Sequence, residues 1–440
     1  MKILSEANQT VLKILKRVRK KGSCTRMLQY CVETPVEEGV LLFNLLTREL
    51  ILLTEEEYRD RLADAYLQAH WFVVPEDAQD KEYAELVKWV ISSQKPTSDA
   101  ITGYTIFTTT DCNARCFYCF ERGRSRVPMS EETARKTVRY IKDHCRGEAV
   151  KLAWFGGEPL VNHKVIGIIC EGLRREGVEF TSTMTSNGIL FDEALVQTAA
   201  AEWNLKQVQI TLDGTEDIYN RVKAYVGQEG SAYRKVLENM KLLLDASVKI
   251  SVRLNMELYN AEDLLMLVDE LAREFAGRKG LSVYAHHIYQ DEKAMADIHS
   301  EEGWALRHEA MCRLQERIEA HGLGVKTTIR KKVKRNRCMA DSGSAVTILP
   351  GGEIGLCEGY SESEWIGHLD RAEVDAAVVA AWKESVPEET ACRTCFYYPD
   401  CFRLKKCNRD SVCFPQQRQE YLLETRQRMR NTYQRRKDAE

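Results

Sequence analysis

The chain has 440 residues, enough for one core domain and one or two smaller ones. Its formal net charge is −3 at pH 7, and a charge so balanced argues neither for nor against a nucleic-acid partner. No apolar run reaches the roughly 18 residues of a membrane-spanning helix, and the first residues lack the apolar core of a signal peptide. We therefore expect a cytoplasmic protein that does not enter the membrane.

The N-terminal part of the chain carries strand signals followed by helix signals. Residues 46–48 are typical of the turn of a β-hairpin. Thr54 and the acidic residues after it predict a helix start, and helical periodicity follows over 55–68 and 79–93. The sequence thus predicts a small β-then-α domain over residues 1–95.

Strand and helix signals alternate after a predicted linker at 94–99. Six apolar or β-branched runs predict strands, at 104–109, 152–155, 179–185, 207–212, 249–255 and 281–288. Helical periodicity follows each of them, at 130–146, 163–176, 192–203, 231–245, 261–275 and 302–320. Repeats of this kind predict a parallel sheet, in which ligands bind at the carboxyl ends of the strands.

Ten of the fifteen cysteines fall in two groups, which favours metal or redox chemistry over a disulfide framework. The first group, Cys112, Cys116 and Cys119, follows the first of these strands at spacing C-x3-C-x2-C. Three thiolates this close can ligate a [4Fe–4S] cluster and leave one iron open to a cofactor or substrate. A structural zinc site fits less well, because it usually closes with four ligands in paired C-x2-C units.

A glycine-rich turn, Gly156-Gly157-Glu158-Pro159, follows the second of these strands. Two adjacent glycines allow the backbone to approach a ligand closely, and the Glu158 carboxylate can hold an ammonium group. The turn therefore predicts a ligand contact one strand after the cysteine loop.

These motifs together resemble the radical S-adenosylmethionine (SAM) enzymes, in which SAM chelates the open iron. In that family the reduced cluster splits SAM into methionine and a 5′-deoxyadenosyl radical. The resemblance implies a partial (β/α)6 barrel over residues 100–325. It also implies SAM contacts at the aromatic residue before the last cysteine, at the glycine turn and at the next three strand ends, namely Tyr118, Gly156, Gly157, Glu158, Ser186, Asn187, Thr211, Asp213 and Arg253.

The second cysteine group lies in the C-terminal third of the chain and comprises Cys338, Cys357, Cys392, Cys395, Cys401, Cys407 and Cys413. Its pattern resembles the SPASM domain, which carries auxiliary iron–sulfur clusters in radical SAM enzymes that modify peptides. The chain departs from that pattern by having five residues, where three are usual, between Cys401 and Cys407. A pair of zinc knuckles is the alternative reading of this group.

The resemblance implies three [4Fe–4S] clusters, one that binds SAM and two auxiliary ones. Its ligand order assigns Cys392, Cys395, Cys401 and Cys413 to the distal auxiliary cluster, and Cys338, Cys357 and Cys407 to the proximal one. The proximal set has one cysteine fewer than a cluster has irons, so one auxiliary iron is open or has another ligand. Glu358 could fill this position, or act as the catalytic base that sulfatase-maturing relatives carry there. A plain surface residue is the alternative.

The N-terminal domain resembles, in order and size, the winged-helix-like domains with which many peptide maturases bind a leader peptide. A structural cap on the barrel is the alternative. The auxiliary-cluster domain is expected over residues 326–415, followed by a C-terminal helix over 416–440. The basic run at 326–337 is typical of a solvated connector, although it could attract an acidic peptide or RNA.

The resemblance implies a radical SAM oxidoreductase that installs thioether crosslinks in a ribosomally made precursor peptide. The expected partners are that peptide with its leader segment and a flavodoxin- or ferredoxin-like electron donor, while neither a membrane nor a nucleic acid is expected. Three alternatives remain: carbon–carbon crosslinking, formylglycine formation as in anaerobic sulfatase maturation, and RNA modification. A non-enzymatic role in electron transfer or oxygen sensing is a further possibility.

Overall fold

The computed structural model describes residues 1–18, 23–94, 98–288, 301–336, 338–359, 364–371, 374–407, 413 and 415–439. The chain divides into two compact units. The terminal unit combines residues 1–97, 326–338 and 384–440, and the barrel unit combines 98–325 and 339–383. Residues 95–97 of the predicted linker lie outside the described residues.

The first part of the terminal unit is built from short antiparallel strands. They are β1 (Lys2–Ser5), β2 (Cys24–Met27), β3 (Cys31–Val36), β4 (Gly39–Asn44), β5 (Leu50–Leu53) and β6 (Val73–Pro75). The larger sheet has the order β1-β5-β4-β3, and β2 pairs with β6. The predicted hairpin turn joins β4 to β5, which pair in antiparallel register.

Helices flank these sheets at α1 (Gln9–Val18), α2 (Glu55–Arg59), α3 (Ala65–Ala69) and α4 (Asp80–Ser93). Thr54 caps α2 in a capping box, as its sequence predicts. The single helix predicted over 55–68 is instead two short helices. Its interruption has a local cause, because the Asp64 side chain accepts a hydrogen bond from the Leu67 N–H and starts α3 there.

Three separate segments of the sequence share the hydrophobic core of the terminal unit. Residues of the first 94 positions pack with Ile329 and Val333, with Tyr398, and with Met429 of the C-terminal helix, Pro415–Lys437. The partly buried Cys392 and Cys395 pack against the same cluster. Cys392 and Cys395 of the second cysteine group therefore share a core with the N-terminal segment.

The barrel unit contains the parallel sheet that the sequence predicts. Its strands are β7 (Gly103–Thr109), β8 (Val150–Gly156), β9 (Phe180–Ser186), β10 (Leu205–Leu212), β11 (Lys249–Met256) and β12 (Leu281–His287). They lie in sequence order and pair in parallel. The predicted partial (β/α)6 fold is confirmed.

Helices connect these strands at α5 (Glu131–His144), α6 (His163–Arg175), α7 (Glu193–Ala201), α8 (Glu216–Lys223), α9 (Ala232–Asp245), α10 (Ala261–Glu274) and α11 (Glu301–Ala320). Ser130 caps α5 by accepting from the Thr133 N–H at 3.0 Å. The short α8 has no counterpart among the predicted helices, because its polar sequence shows little apolar periodicity. No helix among the described residues is both long and apolar enough to cross a membrane.

The second segment of the barrel unit extends the same sheet beyond β7. It adds α12 (Met339–Ser342), β13 (Ala345–Ile348), β14 (Glu353–Gly355), β15 (Gly367–His368) and α13 (Ala376–Trp382). Strand β13 pairs with β7 in parallel, and β14 and β15 follow in antiparallel order. Residues 339–383, from within the range expected to hold the auxiliary clusters, thus belong to the barrel unit, whereas 384–415 belong to the terminal unit.

Candidate functional site

The first cysteine group lies on the loop between β7 and α5, where all three side chains are partly buried. The Ala114 N–H lies 3.3 Å from the Cys112 sulfur and is aimed at it. Burial raises the pKa of Cys112 to about 12 and also raises that of Cys119. A metal ion that binds Cys112 and Cys119 would therefore displace their thiol protons. Three thiols with an N–H donor directed at one sulfur fit the ligand set of an iron–sulfur cluster.

The glycine turn after β8 lies directly against the start of this loop. A Cβ atom at Gly156 would stand 2.1 Å from the Thr109 carbonyl oxygen, and one at Gly157 would stand 2.3 Å from that of Asp111. Gly157 N–H donates to Thr109, and Glu158 N–H donates to Asp111 at 2.9 Å. The two glycines thus allow a close approach between two backbone segments of the protein itself.

Glu158 is fully buried behind this turn, and its carboxylate is held by the end of β9. It accepts hydrogen bonds from the Leu160 N–H at 3.1 Å, the Ser186 hydroxyl at 2.9 Å and the Asn187 N–H at 2.7 Å. Burial raises the pKa of Glu158 to about 7, against the opposing effect of these donors. A carboxyl group with such a pKa becomes ionised when a cation binds beside it.

Asn187 connects this carboxylate to the cysteine loop. Its side-chain N–H donates to the Asn113 side-chain oxygen at 2.7 Å, and the same nitrogen lies 4.0 Å from the Cys112 sulfur. Glu158, Asn187 and the loop therefore form one continuous hydrogen-bonded chain. The contacts of Asn187 therefore connect Cys112 to the end of β9.

A second connection runs from the loop to β10 through a buried ion pair. The Lys223 ammonium lies 3.0 Å from Asp213, and the two side chains are 2% and 0% exposed. Lys223 also donates to the Thr211 hydroxyl at 2.7 Å and to the Tyr118 hydroxyl at 3.2 Å. Tyr118 in turn donates to Asp213 at 2.6 Å, and Asn255 from β11 donates to both of them.

The charges of Lys223 and Asp213 in this network stabilise each other. Burial by itself lowers the pKa of Lys223, but Asp213 and Tyr118 outweigh it and raise this pKa above its ordinary value. Burial likewise raises the pKa of Tyr118, which therefore keeps its proton and remains a hydrogen-bond donor. The result is a fixed cation beside the cysteine loop, because the pair is stable only while both partners are present.

Arg253 lies on β11, next to the strand that carries the two adjacent histidines. Its guanidinium lies 2.9 Å from the His286 ring nitrogen on β12. His287, the neighbouring residue, is buried. Glu158, Ser186, Asp213 and Arg253 thus stand at or near the carboxyl ends of β8 to β11, where a ligand of a parallel sheet binds.

The second cysteine group is divided between the two units. Cys357, two residues after β14, lies in the barrel unit, and the Gly359 N–H is directed at its sulfur at 3.3 Å. Cys338 and Cys407 lie in the terminal unit. Glu358 is half-buried and has no hydrogen bond or ion pair within the described part of the chain.

The other four cysteines, Cys392, Cys395, Cys401 and Cys413, all lie in the terminal unit. Burial raises the pKa of Cys395, and Cys392 and Cys413 add to this effect because their charges are near. Burial also raises the pKa of Cys401 to about 11, with further contributions from Cys395 and Cys413. These four thiols are the set that the resemblance assigns to the distal cluster, and their donor chemistry fits a [4Fe–4S] cluster.

Sequence reasoning missed the residues that connect the motifs to each other. Asn113 and Asn255 are polar residues next to recognised positions, so their location at a strand end or in the loop was a usable signal. Lys223 offered no signal, because a lysine on a polar helix is usually exposed. The ion pair of Lys223 with Asp213 is visible only in the folded chain, where Lys223 ends α8.

A profile of the Radical SAM superfamily matches residues 106–271, from β7 into α10. Residues 106–271 are a radical SAM domain. The domain belongs to a superfamily of enzymes that use SAM and a [4Fe–4S] cluster.

Curated relatives match mainly through this radical SAM domain. GTP 3′,8-cyclase of Clostridium perfringens (strain SM101 / Type A) is 26% identical over 167 residues, which is 37% of this chain and 50% of that protein. The enzyme of Peptoclostridium acidaminophilum is 32% identical over 142 residues, or 31% and 40%. The chain spans about half the length of these curated relatives or less.

Solved structures match over more of the chain. The protein anSMEcpe with bound AdoMet is 16% identical, has a TM-score of 0.56, and aligns with 74% of this chain and 96% of its own. The same protein with AdoMet and the Cp18Cys peptide gives 15% and a TM-score of 0.55, over 74% and 96%. At such identities the likeness shows a shared fold.

We predict that Gly157→Ala disrupts the cysteine loop, because the added Cβ would collide with the Asp111 carbonyl group. The variant should take up less iron during anaerobic reconstitution than the unchanged protein. Gly167→Ala is the matched control, since a Cβ at that helical position meets nothing within 4 Å. Equal iron content in the two variants would contradict the predicted effect.

Lys223→Met should lower the free energy of unfolding by about 3–5 kcal/mol, because it leaves the buried Asp213 carboxylate without its cation. Thermal or denaturant unfolding of the barrel unit measures this loss. Lys241→Met removes a partly exposed pair with Glu274 and should cost at most about 1 kcal/mol. Similar losses for the two variants would mean that the buried pair is not a special constraint.

Proposed function

We propose that the protein is a radical SAM peptide maturase that installs thioether crosslinks in a precursor peptide. The main observation is that one network joins the cysteine loop to the ends of neighbouring strands. Asn113 of the loop is hydrogen-bonded to Asn187, which is hydrogen-bonded to Glu158. Tyr118 of the loop is hydrogen-bonded to Asp213. Hydrogen bonds thereby connect the cysteine loop with several of the predicted SAM contacts.

The roles follow from charge and position. Glu158, which is 0% exposed, would be the carboxylate for the SAM ammonium group, and Arg253, which contacts His286, would supply the cation for the SAM carboxylate. Ser186 and Asn187 orient Glu158 and lie beside the space for the ribose. Cys112, Cys116 and Cys119 would hold a cluster that, when reduced, supplies a deoxyadenosyl radical from SAM. The buried side chains around it exclude solvent from the reaction.

A sheet edge in the terminal unit supports a peptide as the substrate. Its larger sheet ends in the edge strand β3, and a peptide can bind to such an edge as an additional strand. Arg426 of the C-terminal helix already donates to the Glu33 carbonyl group there, so an added strand would pair beside this contact or displace it. The shared fold with anSMEcpe, which was solved with a peptide, is consistent with this class of substrate.

The thioether reaction is supported by the cysteine inventory. Seven cysteines for two auxiliary clusters leave one iron without a cysteine ligand. A peptide thiol that binds there would lose its proton and be positioned as a thiolate. Removal of a hydrogen atom from the target carbon and of the proton from the thiol would leave one surplus electron when the sulfur–carbon bond forms, and clusters held by the second cysteine group would supply its acceptor. The product has lost two hydrogens.

Formylglycine formation is the second candidate, because the shared fold includes a protein of the anSME type. In that case Glu358 would act as a base toward the substrate rather than as an iron ligand. The two reactions leave different products. A thioether retains the sulfur of the peptide, whereas formylglycine formation from cysteine removes it. Carbon–carbon crosslinking instead leaves the thiol free for alkylation.

Cys116→Ala should abolish formation of 5′-deoxyadenosine from SAM and dithionite, because it removes a ligand of the SAM-binding cluster. Iron analysis should fall from about twelve irons per chain to about eight, as expected for the loss of one of three clusters. Cys312→Ala is the control, since this cysteine lies on α11 outside both groups. Deoxyadenosine formation by Cys116→Ala would refute the assignment of the loop.

Incubation with short cysteine-containing peptides encoded next to the gene should give a product that has lost two hydrogens and one alkylatable thiol. Mass spectrometry before and after treatment with iodoacetamide measures both changes. Glu358→Gln should retain crosslinking if Glu358 is not a base. A product that has lost sulfur in the unchanged protein, and no product in Glu358→Gln, would favour formylglycine formation instead.

A further inference from the structure

The distal cysteine segment, residues 390–402, is held by side chains from the N-terminal segment of the chain. Its backbone consists of short 3₁₀ turns, Thr390–Thr394 and Tyr398–Asp400, and of irregular chain. Short backbone hydrogen bonds lie within the segment, such as those from the Tyr398 N–H to the Cys395 carbonyl oxygen and from the Asp400 N–H to the Tyr397 carbonyl oxygen. Side chains from outside the segment, and whatever its cysteines bind, add to these contacts.

Helix α4 contributes one of these partners. The Lys88 ammonium donates to the Cys401 carbonyl oxygen at 2.8 Å and lies 3.5 Å from the Tyr398 carbonyl oxygen. It also lies 4.5 Å from the centre of the Tyr398 ring and 4.7 Å from that of Phe402. A lysine so enclosed brings a positive charge to the backbone of a cluster ligand.

The turn between β4 and β5 contributes the second partner. Arg48 forms a bidentate ion pair with Asp400, the residue before Cys401, and both side chains are buried. Arg48 also has φ = 66°, a conformation that a residue with a side chain seldom adopts. The strained turn and the buried pair maintain each other, because the pair holds the arginine in place.

Further contacts connect the same segment to the turn after β2 and to the C-terminal helix. The Gln29 side chain donates to the Arg393 carbonyl oxygen at 3.1 Å. Tyr397 stacks on Tyr421 with ring centres 4.1 Å apart, and Tyr398 is only 5% exposed within the core of the unit. The distal cysteine segment is therefore packed against the N-terminal segment as part of the same folded unit.

We propose that Lys88 and Arg48 are positioning residues of the site formed by Cys392, Cys395, Cys401 and Cys413, and that loading this site stabilises the N-terminal segment, residues 1–94. The inference relies on the auxiliary clusters of the proposed function, but it does not depend on the substrate. Its basis is linkage: a group that binds only the folded segment stabilises every part that folds with it. The cation of Lys88 also favours the more negative, reduced state of a cluster.

The electrostatic part is tested by redox titration, followed by EPR, in a Cys116→Ala background that lacks the SAM-binding cluster. Lys88→Met should lower the midpoint potential of one auxiliary cluster, and Lys88→Arg should restore it. Lys81→Met is the comparison variant, because Lys81 lies on the same helix but pairs with the Glu85 and Glu388 carboxylates and is farther from the Tyr398 ring centre, at 5.4 Å against 4.5 Å for Lys88. An unchanged potential in Lys88→Met, or an equal shift in Lys81→Met, would overturn this role.

The linkage is tested by hydrogen–deuterium exchange of the reconstituted full chain and of its Cys392→Ser/Cys395→Ser variant. Amides of α4 and of β4 and β5 should exchange faster in the variant, while those of β8 and β9 in the barrel unit should not change. Arg48→Met in the loaded protein should reproduce part of the effect. Equal exchange of α4 in the loaded and variant proteins would overturn the proposal.

Iron content and peptide products separate this outcome from the proposed function. A fully loaded protein that modifies no peptide would end the proposed function, and the exchange result would still decide the linkage. Conversely, an active maturase with unchanged exchange in the double-serine variant would retain its function and lose the linkage.

Discussion

The ion pair between Lys223 and Asp213 is the constraint on which the candidate site depends. Two charges removed from water are stable only in contact with each other and with further hydrogen-bond partners. Tyr118 is one of those partners, and it belongs to the cysteine loop. The strand end, the helix α8 and the loop must therefore keep one arrangement, because any other would leave a buried charge unpaired.

The same arrangement explains how a loop of irregular backbone can hold a defined set of metal ligands. On one side the glycine turn lies in direct backbone contact with the loop, and on the other side Tyr118 is fixed by Asp213. Between them Asn187 connects the loop to the Glu158 carboxylate. A site whose donors are oriented in advance loses less free energy when its ligands bind.

The terminal unit follows a different principle, because its parts are distant in sequence and small by themselves. A segment of about 90 residues buries a limited core, and short additional segments can complete it. Here residues around Ile329, around Tyr398 and along the C-terminal helix supply that addition. The cysteines near Tyr398 thus pack against this core. Metal binding by these cysteines is therefore coupled to the folding of the unit.

The sequence by itself determined the local chemistry and the fold class. Cysteine spacing, the Gly-Gly-Glu turn and the alternation of strands and helices are properties of neighbouring residues, so the cysteine loop, the six parallel strands and the Ser130 cap could all be read from it. The tertiary structure alone decided which distant groups meet. Arg48 pairs with Asp400 across 352 positions, and Lys223 reaches Tyr118 across 105. Such pairs produce no periodic pattern in the sequence. Their partners are selected by packing and by the high cost of burying an unpaired charge.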